Sequence, residues 1–357
     1  MIVILYGTRP EAIKLAPVAA ALEALAPGRV RRLHTGQHDR LIPHLPPAWR
    51  LPPEEHLAVL EPGQSLPRLG ARVLEEVGAW LAARRPEAVV VQGDTLSACL
   101  GGLAAFLLGI PVAHVEAGLR TGIPDRPFPE ETARRTLAAF ARWNFAPSPG
   151  AAANLAAERT PGQIWVTGNP VVDALLAARP WLPPPPLPPK GRRRRILATL
   201  HRRENHPRLP ALFAALAGLA TARDREVWLP LHPHPAVQAA AQRLAGSRVR
   251  LLPPLDYLEW LAALRTADLV LSDSGGVQEE APVLGVPLLI LREETERPEV
   301  PAGGHGYLAG TDPARIRALA EAALKGRLPF RRGSPYGDGR AAPRIARLLL
   351  ANLTADP

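Results

Sequence analysis

One cysteine, Cys99, occurs in 357 residues, which excludes an intramolecular disulfide and a cysteine-built zinc site. Cys99 reads as a small buried hydrophobe on a helix rather than as a nucleophile. Lysine is almost as scarce: Lys14, Lys190 and Lys325 are the three in the chain, so the formal charge of +10 is carried by arginine. That charge permits nucleic-acid or phosphate partners without choosing between them. The accompanying bias to Ala, Leu and Pro reflects genome composition or heat adaptation as readily as function. No apolar run is long enough for a membrane span. No basic leader or signal-length apolar stretch precedes the run Ile2 to Tyr6, which predicts a cytoplasmic address. Two phosphate fingerprints are missing as well. No strand is followed by G-x-G-x-x-G and no G-x-x-x-x-G-K-[ST] is present, leaving neither a nicotinamide site nor a P-loop. An enzyme built on this chain is expected to work without bound NAD.

What is present is an ordinary globular composition, 47% hydrophobic and 21% charged, on a chain long enough for two α/β domains. Strands are predicted at Ile2 to Leu5, Val30 to His34, Ala88 to Val91, Val112 to Val115, Trp143 to Phe145 and Ile164 to Val166, with amphipathic stretches between them. The first of these stretches puts Leu15, Val18, Leu22 and Leu25 on one helical face and stops at Pro27-Gly28. This alternation implies a parallel sheet covered on both faces. Pro180 to Pro189 reads as an interdomain linker, and the Arg192 to Arg195 block after it as a solvated turn before a strand. The pattern then restarts, with strands at Ile196 to Leu200, Val227 to Leu229, Val249 to Leu252, Leu269 to Ser272 and Leu288 to Leu291. Domains of 1–180 and 181–342 follow, and a closing helix within 343–357, apolar at Ile345, Leu348 and Leu349, is expected to pack back on the first domain.

In a parallel α/β sheet, ligands bind beyond the carboxyl ends of the strands, so the residues just after each strand carry the chemistry. Gly7-Thr8-Arg9-Pro10-Glu11 follows the first strand: Gly7 allows a tight turn, the next helix offers N–H groups to an anion, Arg9 adds a phosphate donor, and Lys14 lies one turn on. Alone, this is equally an ordinary βα turn. Two further strands end in Gln92-Gly93-Asp94-Thr95 and Glu116-Ala117-Gly118-Leu119-Arg120, aiming two carboxylates at one crevice. Asp94 serves as well as a helix N-cap, whereas Glu116, directly after a buried strand, must be solvated or paired. Glu130-Glu131 opens a helix carrying Arg134, where a helix dipole alone would favour acids. In the second half, His201-Arg202-Arg203-Glu204 clusters at a strand end. His232 and His234 have ligand-like spacing but no third ligand nearby, so a loop role is favoured and no metal is expected. At Asp273-Ser274-Gly275-Gly276 a strand runs into a glycine-lined helix start, which supplies bare backbone donors for a diphosphate. Glu280, nearly two turns on, suits a ribose diol.

The chain resembles the bacterial non-hydrolysing UDP-N-acetylglucosamine 2-epimerases over nearly its whole length. The shared motifs are GTRPEAIKLAPV from Gly7, TGQH from Thr35 to His38, QGDT, HVEAGLRTG from His114, PEE with Arg134, VTGNPVVDAL from Val166, HRRE, DSGGVQEEAP from Asp273 and TERPE from Thr295. The resemblance implies two Rossmann-like domains facing across a cleft, as in B-type glycosyltransferases, in a cytoplasmic homodimer serving cell-surface polysaccharide synthesis. It implies interconversion of UDP-GlcNAc and UDP-ManNAc, with UDP eliminated to give 2-acetamidoglucal and then re-added. No cofactor, nucleic acid or membrane takes part.

Family catalytic residues carry onto Asp94, Glu116, Glu130 and His201. UDP contacts carry onto Arg9, Ser274, Gly275 and its neighbour Gly276, Glu280 and Arg297, with Lys14 and Arg134 lining the site. Gln37, Gln64, Arg202 and His232 match residues of a second, activating UDP-GlcNAc site in bacterial members. The chain departs from that pattern at Arg40 and Gly63, and Glu293-Glu294 replaces the usual Asp-Thr before Thr295. Rival readings are a hydrolysing relative that releases ManNAc and UDP, a glycosyltransferase of the same fold, and a non-catalytic nucleotide-sugar or RNA binder.

Overall fold

A computed structural model of the chain describes residues 1–37 and 55–354. It divides into two compact units, Met1–Ala177 with Tyr336–Pro357, and Ala178–Pro335. In the first, β1 (Ile2–Tyr6), α1 (Arg9–Leu25), β2 (Val30–His34), β3 (Glu55–His56), α2 (Leu66–Arg84), β4 (Ala88–Gln92), α3 (Leu96–Leu107) and β5 (Val112–Val115) alternate along the chain. The unit continues through α4 (Glu130–Ala138), β6 (Trp143–Ala146), α5 (Pro149–Ala157), β7 (Gln163–Val166) and α6 (Pro170–Ala178). The second unit runs β8 (Arg194–Thr199), α7 (Leu209–Ala220), β9 (Arg225–Pro230), α8 (Pro235–Ala241), β10 (Val249–Leu252), α9 (Tyr257–Leu264) and β11 (Leu269–Ser272). It ends with α10 (Gly275–Leu284), β12 (Leu288–Ile290), α11 (Glu299–Ala302), β13 (Tyr307–Leu308) and α12 (Pro313–Leu324), and α13 (Ala341–Thr354) returns to the first unit.

Both sheets are wholly parallel, with strand orders β3-β2-β1-β4-β5-β6-β7 and β10-β9-β8-β11-β12-β13. The central strands are continuous apolar runs because helices cover both of their faces. All five residues of β1 and of β4 are buried. Two edge strands went unpredicted, β3 and β13. Each is two residues long, too short for any periodicity to show.

The arginine block corrects the expectation of a solvated turn. Arg194 and Arg195 are already part of β8, and Arg195 is 1% exposed. Its guanidinium is satisfied by Glu226 at 2.6 Å, Thr266 at 2.9 Å and the Pro188 carbonyl at 2.8 Å. A planar group with five donors can enter a wall when every edge is met, and sequence shows the charge without the partners. At the other end, α13 packs on α1 with Ile345, Ala346 and Leu349 buried. Its first N–H groups, from Ala341 and Ala342, donate to the Asp173 carboxylate on α6 at 3.1 and 2.9 Å. Among the described residues no helix is long and apolar enough to cross a membrane.

Gly118, just beyond β5, holds the loop in a conformation that no larger residue fits. Its φ is +90°, and a Cβ there would lie 2.2 Å from the Ala151 carbonyl oxygen. Gly118→Ala therefore adds a left-handed penalty of about 1–2 kcal/mol to a backbone clash. A total loss of about 3 kcal/mol is expected, read as a lower urea midpoint; an unchanged midpoint would refute the clash.

Candidate active site

In the first unit the chain order reverses between β1 and β4, and the loops after β1, β4 and β5 lie side by side at the carboxyl edge. This switch point is where α/β sheets form their binding crevices. The turn after β1 presses against the start of α3: a Cβ on Gly7 would meet Ser97 Oγ at 2.1 Å and Thr35 Oγ1 at 2.3 Å. The expected anion-binding N–H groups at this turn are only partly available. Gly7 and Thr8 donate theirs to the Glu11 carboxylate at 3.0 and 2.7 Å. The half-buried Arg9 opens α1.

Thr95, not Asp94, caps α3, its hydroxyl accepting from the Ala98 N–H at 3.0 Å. Asp94 is left to pair through Oδ2 with Arg134 Nη2 at 2.6 Å. The buried Arg134 reaches Glu131 with its other nitrogen at 2.9 Å. Glu131 is fully buried and also receives the N–H groups of Thr121 and Gly122. Of the acidic pair, then, Glu131 anchors the network and the half-buried Glu130 heads α4.

Glu116 has φ +67°, a left-handed conformation that costs a non-glycine residue about 1–2 kcal/mol. The turn aims its buried carboxylate inward, where Oε2 takes an ion pair from Lys14 Nζ and a hydrogen bond from Asn169 Nδ2 at 2.8 Å. Between the two acids in sequence, His114 is wholly buried, with Nε2 2.8 Å from the Gly93 carbonyl. Burial pushes its imidazole down to about 4, so at neutral pH the ring is uncharged and Nε2–H is the donor. Cys99 sits in the core on α3, where desolvation pushes its thiol up to about 11; it behaves as the small hydrophobe expected.

The second unit repeats the arrangement at its own reversal between β8 and β11. Asp273, with no exposed surface, directly follows β11 and accepts from the N–H groups of His201 and Arg202, both at 3.1 Å, and from Asn205 Nδ2 at 3.1 Å. One carboxylate thereby shapes the whole loop after β8. His201 Nδ1 lies 3.3 Å from Asp273. Desolvation nevertheless dominates and, with Arg202, His232 and Arg292, pushes the His201 imidazole down to about 4. The exposed His232 stacks on His201 with ring centroids 5.5 Å apart. Among the described residues no cluster of three or more potential ligands could hold a metal.

Ser274 is the N-cap of α10, which opens on Gly275-Gly276 with no acid in its first turn. A Cβ on Gly275 would lie 2.7 Å from Arg297 Nη1 and 3.0 Å from Arg202 Nη2. Two guanidinium groups thus crowd a helix start whose dipole already favours an anion. The buried Glu296 serves both arginines, its Oε1 lying 3.6 Å from Arg202 Nη2. Arg297 bonds Glu279 at 2.8 Å and pairs with Glu296, and Arg292 joins Glu296 at 2.7 Å to Glu204 at 2.8 Å. Glu280 accepts from Trp260 Nε1 at 3.0 Å. The Glu293 that departs from the family pattern receives the Thr311 N–H and hydroxyl at 3.0 and 2.6 Å, so it braces the loop after β13.

Of the residues singled out from sequence, Lys14 with Glu116, Asp94 with Arg134, and Gly275 with Arg202 and Arg297 come together within their units. Gln37 and Gln64 have structural bonds instead. Gln37 Oε1 accepts from the Ser97 N–H and hydroxyl at 3.1 and 2.7 Å. Gln64 accepts from the Glu61 N–H and donates to the Val59 carbonyl. His38 and Arg40 lie outside the described residues. Sequence reasoning gave no role to Glu131, Asn169, His114, Asp273, Glu279 or Glu296. Position at a strand end was a usable signal for Asp273, and a histidine inside an apolar strand was one for His114. Glu131 and Glu296 have arginines within four residues, a local signal that charge spacing could have shown, whereas Asn169 and Glu279 meet partners distant in sequence.

A family model described as UDP-N-acetylglucosamine 2-epimerase matches residues 21–350. The UDP-N-acetylglucosamine 2-epimerase of Salmonella typhimurium is 38% identical, with 96% of each chain covered. The crystal structure of UDP-GlcNAc 2-epimerase from Neisseria meningitidis bound to UDP-GlcNAc superposes with a TM-score of 0.91 at 33% identity, over 98% of this chain and 100% of that one. The fold, though not the activity, extends to the glycosyltransferase SnogD from Streptomyces nogalater, with a TM-score of 0.52 at 19% identity over 99% and 98% of the two chains. With a family match over residues 21–350 and a relative 38% identical over 96% of both chains, the chain belongs to the UDP-N-acetylglucosamine 2-epimerase family.

Proposed function

We propose that the protein reversibly interconverts UDP-GlcNAc and UDP-ManNAc by elimination and re-addition of UDP. In the forward sense a base removes the C2 proton, the C1–O bond to the diphosphate breaks, and UDP leaves 2-acetamidoglucal with a C1=C2 double bond. Protonation of C2 on the opposite face and return of the diphosphate oxygen to C1 complete the inversion. The steps are redox-neutral and proton-balanced, so the chain's own acids and bases suffice.

The observation that carries this reading is the pair of carboxylates on adjacent strand ends, each held by a buried cation: Asp94 by Arg134 and Glu116 by Lys14. A C2 proton is weakly acidic, and carboxylates fixed in position supply the general base and acid that both faces require. Glu130 and His201 complete the acid–base set in this proposal. The leaving diphosphate is assigned to the start of α10 at Ser274, Gly275 and Gly276 with Arg297, and to Arg9, where developing negative charge meets oriented N–H groups and guanidinium. Glu280 takes the ribose diol. The relative from Neisseria meningitidis binds UDP-GlcNAc, in line with this ligand. A homodimer and activation by a second UDP-GlcNAc through Gln37, Gln64, Arg202 and His232 belong to the same proposal.

Incubation with UDP-GlcNAc in deuterated water tests the reaction class. Deuterium at C2 of both epimers, with UDP-ManNAc accumulating toward equilibrium, is expected. Release of ManNAc and UDP without UDP-ManNAc would instead identify a hydrolase, and recovery of unlabelled substrate would defeat the reading. Sedimentation of the pure protein as a monomer would remove the dimer, and hyperbolic UDP-ManNAc kinetics unaffected by UDP-GlcNAc would remove the activation.

A further inference from the structure

Glu11 is a buried acid at the first unit's binding edge to which the proposed reaction gives nothing to do. It is 1% exposed, and among the described residues it pairs with no cation. Instead it collects hydrogen bonds from two different loops. Oε2 accepts the N–H groups of Gly7 and Thr8 at 3.0 and 2.7 Å, in the turn that carries Arg9. Oε1 accepts the Thr95 hydroxyl at 2.7 Å, from the residue next to Asp94. Thr95 Oγ1 in turn accepts from Ala98 N–H at 3.0 Å, so the link ends in the first turn of α3. Burying a carboxylate without a counter-cation costs several kcal/mol, and desolvation outweighs the hydrogen bonds from Thr95, Thr8 and Gly7, raising the carboxyl to about 7. The bond to the Thr8 N–H belongs to the capping box that opens α1, whereas the bond to Thr95 reaches past it into a second loop. Groups kept in spite of such a cost concentrate at functional sites.

We infer that Glu11 is a positioning residue which, through Thr95, locks the turn bearing Arg9 to the turn bearing Asp94 and so fixes the phosphate-side cation relative to the C2 carboxylate. The neighbouring residues are held in the same way: Gly93 by His114 and Asp94 by Arg134. Three consecutive residues of one loop are each anchored to a different element. A displacement of about 1 Å between reacting groups costs on the order of 10²-fold in rate, which is the scale of effect this tie controls.

The inference rests on the proposed epimerisation, and a double-mutant cycle on kcat in the full-length protein separates the two. Glu11→Ala is expected to lower kcat by ~10²-fold and Thr95→Val by ~10-fold or more, while the double variant matches Glu11→Ala within about twofold, because each change breaks the same link. Glu11→Gln, which can accept from the turn and donate to Thr95, is expected to recover at least about tenfold of the loss. Multiplying effects in the double variant, or a Glu11→Ala enzyme with wild-type kcat, would overturn the inference and leave the reaction standing. If Glu11→Ala does not fold, Glu11→Asp, too short to reach both loops, takes its place in the cycle with the same expected coupling. A wild-type protein inert toward UDP-GlcNAc overturns the reaction first.

Discussion

Glu116→Gln is expected to lower kcat for epimerisation by ~10³-fold, within the range that one general acid–base group contributes, while UDP binds within about threefold of wild type. Glutamine keeps the shape of the side chain and can still accept from Asn169 Nδ2, which now sits 2.8 Å from Glu116 Oε2. The left-handed backbone at φ +67° is set by the chain on either side and is unaffected. What disappears is the ability to take and return a proton. The substitution also leaves the buried Lys14 ammonium without its carboxylate, and breaking a buried pair costs about 3–5 kcal/mol. Assays are therefore made well below the melting transition, with UDP affinity as the check on folding. Retention of full kcat would remove Glu116 from the proton transfers. Asp94→Asn carries the same expectation, since asparagine loses the charge that Arg134 meets at 2.6 Å.

The second large effect concerns stability against pH and comes from two wholly buried groups that titrate in opposite senses. Glu11 is raised from 4.5 to about 7. The folded state holds that proton more tightly, so this contribution is fully present below pH 4.5 and is lost as pH rises to about 7. His114 is lowered from 6.5 to about 4. The unfolded state holds that proton more tightly, so this contribution is present above pH 6.5 and is lost as pH falls to about 4. Each is worth about 3 kcal/mol, and between pH 4.5 and 6.5 the two slopes cancel. In Glu11→Gln only the histidine's slope remains. The wild-type minus Glu11→Gln unfolding free energy, from urea titrations at several pH values, should fall by about 3 kcal/mol from pH 4.5 to 7. Other carboxylates contribute alike to both proteins and drop out of the difference. Parallel profiles would show that Glu11 ionises in the fold as it does in water.

Much of this architecture was legible before any coordinates. Apolar runs such as Ile2–Leu5 and Val112–Val115 must be buried on both faces, and their alternation with amphipathic stretches leaves a parallel sheet as the outcome. The strand-end rule then pointed to Asp94, Glu116, His201 and Ser274 because backbone direction alone decides which loops lie at the carboxyl edge. The rule could not say what those loops do with their hydrogen bonds. Glu11 takes N–H groups that sequence had assigned to an anion, and Thr95 takes the capping role equally open to Asp94.

Sequence by itself determined the longer strands, the helices between them, the glycine-lined start of α10 and the family. Those properties depend on residue type and short-range spacing. Tertiary structure decided which charge meets which: Lys14 with Glu116, Asp94 with Arg134, Arg195 with Glu226, and Asp273 with the loop after β8. Such pairings join residues up to 102 positions apart. They form only when the sheet brings strand ends within hydrogen-bonding distance, and the low dielectric of the interior then makes an unmet partner too costly to keep.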